Sequence, residues 1–535
     1  MGDHGVFLGL LAAVAALSAV ARRYRLQTPI VLVLAGTAAG LVPWVPRVAL
    51  DPEVVLTLVL PPLLYYAALN TSMRDFRANL QPIALLSVGL VLVTAAAVAA
   101  VTVALVPALP LAAAFALGAI VAPPDAVAAV AVGREVGMPR RLLAILEGES
   151  LVNDATALVS FRIAVAAVGA AAVTFADAAA QFLLASAVGI GVGLALAAAI
   201  AFVRRRLDDP PVENSLSLLT PFAAFLPAEA LHGSGVLAVV VTGLHLGQRS
   251  PVLLSSATRL EVHALWRMIT YLLEGVVFVL VGLQFPAIVA GGAREHGPGA
   301  LAAYAAAVVL TVVVVRFAWV WLSLGLPHQV GVGTARVRDW RGGVVVSWAG
   351  MRGVVSLAAA LSLPVGFPER DLLLFLTAAV ILATLVVQGT TLPWLVRRLG
   401  LAGGADRAEE LQREEAVADH HIARAALGLL ERLAGERDLP DELVAEQRRH
   451  LEERIRRAHS TLGGCPGEDE YRHAPVDRPQ SLSPPELAAI GQWLRTTLIE
   501  AERAELLRLA QAGDVSHEAQ RDLERMLDLV QVSFR

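Results

Sequence analysis

The chain of 535 residues contains no lysine. All 43 basic residues are arginine, a uniformity that reads as genomic bias before any functional choice. It has one cysteine, Cys465. A lone cysteine excludes an intramolecular disulfide framework and any cysteine-ligated zinc or iron–sulfur centre. Charge is scarce: 17% of residues are charged, against about 25% in soluble domains. The basic residues are scattered and the net charge is only −4, so nucleic acid is excluded as a partner. No internal repeat is visible, which excludes a solenoid.

Apolar residues fill the space that charge leaves. They make up 56% of the chain, and the mean hydropathy is +0.64. The excess is uneven. Residues 1–403 carry a net charge of +5, and residues 404–535 carry −9. This composition describes a membrane domain at 1–403 followed by a water-soluble tail at 404–535.

Crossing about 30 Å of hydrocarbon takes about 20 apolar residues. Thirteen segments qualify: 5–21, 29–46, 53–70, 82–106, 110–132, 148–172, 178–203, 214–231, 234–248, 265–290, 299–325, 342–364 and 371–396. Between the eighth and ninth, His232-Gly233-Ser234-Gly235 reads as a turn or as a kink. The first segment is not a signal peptide, because Asp3 and His4 precede it and Arg22, Arg23 and Arg25 follow it.

Arginine placement orients the segments. Loops after odd-numbered segments hold Arg22, Arg23 and Arg25; Arg74 and Arg77; Arg134, Arg140 and Arg141; Arg204, Arg205 and Arg206; Arg249 and Arg259; Arg336, Arg338 and Arg341; and Arg397 and Arg398. Loops after even-numbered segments hold only Arg47, Arg294 and Arg370. The positive-inside rule puts the odd loops and the tail in the cytoplasm and the N-terminus outside. An even number of spans would destroy that alternation. The expected fold class is therefore an all-α polytopic membrane protein with thirteen transmembrane helices and a helical cytoplasmic tail. In the tail, 406–458 and 486–531 have amphipathic helical spacing, and 463–485, with three glycines and five prolines, reads as a linker.

Ionisable residues inside spans cost about 2.5–3.5 kcal/mol each at a helix centre and mark function by default. They are Asp125, Glu149, Asp154, Arg162, Glu229, Glu274, Arg316 and Arg352. Asp125 follows Pro123-Pro124 in mid-span, where two missing donors must break the helix. Carbonyls freed there, that of Pro124 among them, are oxygen ligands for a hard cation. Asp125 also stands where it can cap the second half-helix. In Gly148-Glu149-Ser150-Leu151-Val152-Asn153-Asp154, Ser150 and Asp154 share a helix face, and Glu149 and Asn153 the neighbouring one. A carboxylate, a hydroxyl and an amide oxygen so grouped suit an alkali cation, held at Asp154 and Ser150. A decorated helix start accounts for Glu147 and for Glu149, but not for Asp154, which lies beyond the first turn.

Arg352 lies between Gly350 and Gly353, which weaken the helix and permit close backbone approach. A buried arginine needs a carboxylate, and Glu149 is the expected partner. Interrupted helices at corresponding places in two halves of a chain point to a transporter site at a repeat interface. Arg162 and Arg316 read as structural. Glu229 and Glu274 read as weaker candidates for lining an ion path. His420-His421 reads as a solvated helix face.

Pro123-Pro124-Asp125, Gly148 through Asp154 and Trp348-Ala349-Gly350-Met351-Arg352-Gly353-Val354-Val355-Ser356-Leu357 resemble signatures of bacterial sodium/proton antiporters of the monovalent cation:proton antiporter-1 family. Leu60-Pro61-Pro62-Leu63-Leu64-Tyr65-Tyr66 and Val281-Gly282-Leu283-Gln284 fit as well, and the likeness runs through residues 1–400. It implies inverted repeats, a core domain moving against a dimerisation domain, and a homodimer in the cell inner membrane that serves sodium transport and pH homeostasis. It implies that Asp154 binds the ion, that Ser150 and Asn153 assist, and that Glu149 pairs with Arg352. No cofactor is implied beyond the transported Na+ and H+. Two positions depart from the pattern: Pro124 stands where many relatives carry Thr, and Tyr66 where some carry Glu.

The expected mechanism is competition of cation and proton for Asp154 with alternating access. A potassium/proton antiporter on the same fold is an open alternative. A passive cation channel would need a filter loop or an acidic ring, and the sequence has neither. An intramembrane enzyme would need a nucleophile–base or metal constellation, and none is visible around His232.

Overall fold

A computed structural model of the chain describes residues 3–533 apart from 25, 44, 46–51, 169–173, 208, 326–339, 438 and 463–482. Arg25, Arg47, Arg336, Arg338, Cys465 and nearly all of the expected linker lie outside the described residues. Among the described residues the chain is helical, with no strand. It forms two compact units, residues 1–253 with 262–403, and residues 254–261 with 404–535.

The first unit opens with α1 (Asp3–Arg23), α2 (Thr28–Gly40), α3 (Pro52–Asn70) and α4 (Leu80–Leu105). Two half-helices follow, α5 (Leu111–Val121) and α6 (Ala126–Glu135). Then come α7 (Arg140–Val168), α8 (Phe175–Arg204), α9 (Pro210–Ala230), α10 (Gly235–Leu253), α11 (Ser256–Glu295), of which residues 262–295 belong to this unit, and α12 (Pro298–Gly325). A second pair of half-helices, α13 (Trp340–Trp348) and α14 (Val354–Leu361), precedes α15 (Arg370–Arg398). Among the described residues, eight helices are long and apolar enough to cross a membrane alone. His232, at φ 56°, turns the chain between α9 and α10, so that junction is a turn.

Small residues let helices meet backbone to backbone. A Cβ at Gly36 of α2 would strike the Val279 carbonyl of α11, and one at Gly282 would strike the Val33 carbonyl in return. Single π-turns at Val55–Val59, Leu85–Leu90 and Thr384–Gln388 interrupt α3, α4 and α15. Such turns recur at functional sites.

The second unit contains α16 (Gly404–Glu436), α17 (Asp441–Thr461), α18 (Pro484–Ala512) and α19 (His517–Ser533). A Ser483–Glu486 capping box starts α18. Ile422, Leu430, Leu494, Leu506 and Leu527 form its apolar interior. Arg454 bridges Asp419 (2.5 Å) and Glu502 (2.6 Å). Burial pushes the Glu502 carboxyl up to about 7, and Arg454 draws it only part of the way back. Residues 254–261 belong to this second unit. Arg259 donates two hydrogen bonds to the Asp528 carboxylate, at 2.8 and 2.5 Å, with both side chains at most 5% exposed. Arg503 reaches Asp528 (2.7 Å) and Ser256 (2.6 Å).

Candidate functional site

The site is built where the two pairs of half-helices meet. Pro123 and Pro124 supply no N–H, so α5 ends at Val121 and α6 begins at Ala126. The second break runs from Ala349 to Gly353. Each break answers the other. Asp125 N donates to Met351 O at 2.6 Å. Arg352 Nε donates to Val121 O at 3.0 Å and Nη2 to Ala122 O at 3.4 Å, while Nη1 donates to Gly350 O. The guanidinium therefore caps the C-terminal end of α5, where a helix leaves carbonyls and partial negative charge. Thr384, in the π-turn of α15, accepts from the Arg352 backbone N–H at 3.1 Å. Gly353 is required here, because a Cβ would collide with the Asp125 carboxylate.

Helix α7 passes this crossing. Asn153 is fully buried and its Nδ2 donates to Pro124 O at 2.7 Å. Its Oδ1 is buried with no partner among the described residues. One lone pair of the Pro124 carbonyl is thus occupied and the other is left. Asp154, 8% exposed, follows on α7, with Ser150 half-buried one turn earlier. Asp125, half-buried before α6, is near enough to act electrostatically on Asp154 and on Glu274 of α11. Pro124, Asp125, Asn153 and Arg352 are thus brought together with Asp154. Tyr66, at the departure from the family pattern, lies parallel to Trp266 with ring centroids 6.5 Å apart.

The expected pairing of Glu149 with Arg352 is corrected. Glu149 receives two hydrogen bonds from Arg316 of α12, at 2.6 and 2.9 Å, and both side chains are 1% exposed. Arg316 Nε donates to Val346 O at the end of α13. The reason is the break itself. It exposes carbonyls that take up the Arg352 fork, so its charge is met by a helix end. Arg316 belongs to an unbroken helix and brings both Nη groups to Glu149. The available signal was that the charge of Arg316, directly after the Val-rich run 308–315, also needs a partner.

Arg162 has the structural partner its position called for, Glu229 at 2.7 Å. Glu229 also accepts from Gly235 N–H at 2.9 Å, so it ties α7 to the turn before α10. Thr384 escaped sequence reasoning, since an uncharged hydroxyl in a span carries no signal.

A profile of the family described as "Sodium/hydrogen exchanger, transmembrane" matches residues 9–398. The chain belongs to that family. Among relatives, it is 41% identical over 472 residues to an uncharacterized Na(+)/H(+) exchanger of Mycobacterium tuberculosis, covering 85% of each chain. It is 30% identical to the Na(+)/H(+) antiporter ApNhaP of Aphanothece halophytica, covering 98% of this chain and 95% of that one. The solved sodium proton antiporter MjNhaP1 of Methanocaldococcus jannaschii matches with a TM-score of 0.58 at 18% identity, over 75% of this chain and 99% of that one. This member of the sodium/hydrogen exchanger family thus has the fold of that antiporter.

Proposed function

We propose that this family member is a secondary active antiporter that exchanges a monovalent cation, Na+ first, for H+. The supporting observation is the buried Asp154 carboxylate beside the unpartnered Asn153 Oδ1, at a crossing where Arg352 already answers the α5 helix end. The oxygens of Asp154, Asn153, Ser150 and Asp125, with the remaining lone pair of Pro124, form the cation site. Cation and proton compete for Asp154. An unneutralised carboxylate is costly in hydrocarbon, so only the loaded site crosses, and alternating access couples the two fluxes. The chain crosses the cell inner membrane thirteen times, with the N-terminus outside and the tail cytoplasmic, and works as a homodimer surrounded by lipid.

A second reading has its own support. A relative from Bacillus subtilis is named a sodium, potassium, lithium and rubidium/H(+) antiporter, at 28% identity over 72% of this chain and 60% of that one. On this reading K+ is also carried. The test is exchange in sealed vesicles with an interior pH dye and Na+, Li+ or K+ added in turn. Asp154→Asn abolishes proton movement with each ion that the wild type carries, and at fixed cation wild-type exchange falls as protons outcompete it at low pH. Wild-type-like exchange by Asp154→Asn overturns the site.

A further inference from the structure

Gln388 closes the π-turn of α15 and is 2% exposed. Both polar atoms of its carboxamide, Oε1 and Nε2, are buried with no partner among the described residues. A primary amide buried in that state costs on the order of several kcal/mol unless water or an ion satisfies it.

Its neighbours fix where it faces. Thr384, four residues earlier, accepts from the Arg352 backbone N–H at 3.1 Å. Thr391, three residues later, accepts from Trp348 Nε1 at 2.8 Å. Residues spaced i, i+4 and i+7 share one helix face. That face therefore borders both ends of the second break, and Gln388 lies between the two threonines along α15. A Cβ on the adjacent Gly389 would lie 2.8 Å from Gln27 Oε1, 3.1 Å from Ile30 Cδ1 and 3.3 Å from Met351 Sδ, so the start of α2 and the break both flank this turn. Along α15, Gln388 lies one turn on from Thr384, toward Arg397 and Arg398.

We infer that Gln388 is a further cation-positioning residue, which rests on the antiport reading above. Its Oε1 replaces part of the hydration shell of a monovalent cation moving between the Arg397 end of α15 and Asp154, while Nε2 holds a water of that shell. Neutral carbonyl-type oxygens suit this step, since they bind a dehydrating cation without trapping it.

The test is sodium titration of the full chain in vesicles at fixed pH, with Asp154→Asn run in parallel. Gln388→Leu keeps the volume and removes both polar atoms. It raises the apparent KM for Na+ about tenfold, as expected for a lost interaction of about 1.4 kcal/mol, with kcat within about twofold. Gln388→Glu keeps an acceptor and holds the KM at or below the wild-type value. A Gln388→Leu protein with wild-type KM overturns the inference. Should that variant not fold, a Gln388→Glu protein with a KM raised tenfold overturns it equally. Wild-type exchange by Asp154→Asn defeats the antiport reading itself, a result distinct from either Gln388 outcome.

Discussion

Replacing Arg316 by Leu leaves the Glu149 carboxylate 1% exposed and without its two hydrogen bonds. Removing one partner of a buried pair costs about 3–5 kcal/mol, because the survivor stays charged and desolvated. Removing both partners is far milder, since an apolar pair of similar volume needs no compensation. With about 2.1 cal/mol/K of unfolding entropy per residue over the membrane unit, Arg316→Leu lowers the melting temperature by about 4–6 °C. Glu149→Leu with Arg316→Leu regains much of that loss. The assay is melting of the detergent-solubilised chain, followed by the monodisperse fraction that survives each temperature. The cycle of Glu149 with Arg352, which share no hydrogen bond, is the comparison, and its coupling is smaller than that of Glu149 with Arg316. Strong coupling of Glu149 to Arg352 and none to Arg316 would refute the assignment.

Two more outcomes concern the second unit. The Glu502 carboxyl, raised by burial to about 7 from an unfolded value of 4.5, binds its proton more tightly in the folded state. Stability of that unit therefore falls as pH rises through about 4.5 to 7 and levels off above. Protection factors of α18 amides in the full chain, corrected for intrinsic base-catalysed exchange, are higher at pH 5 than at pH 8, and Glu502→Gln shrinks the difference; an unchanged difference rejects the assignment. Asp528→Ala strands the buried Arg259, so trypsin cuts after Arg259 at least about tenfold faster than in the wild type. Cleavage at the wild-type rate would show that the pair does not hold 254–261 in place.

The membrane helices were legible because a run of about 20 apolar residues is a statement about solvent, independent of partners. The breaks were legible because Pro123-Pro124 and the glycines flanking Arg352 act on the backbone that carries them. Partnership was not legible. Glu149 and Arg316 are 167 residues apart, and Arg259 and Asp528 are 269 apart. Local context made Arg352 the conspicuous cation, yet the break that made it conspicuous also supplied its acceptors. Gln388 and Thr384 were silent because a neutral polar group in a span becomes notable only once its surroundings are known.

The hydrogen bond from Asp125 N to Met351 O, with the Arg352 contacts to Val121 and Ala122, makes the two breaks mutually dependent. Polar backbone groups severed at one break are met at the other, so neither interruption could stand in hydrocarbon alone. A substitution that straightens one break therefore strands the open backbone of its counterpart.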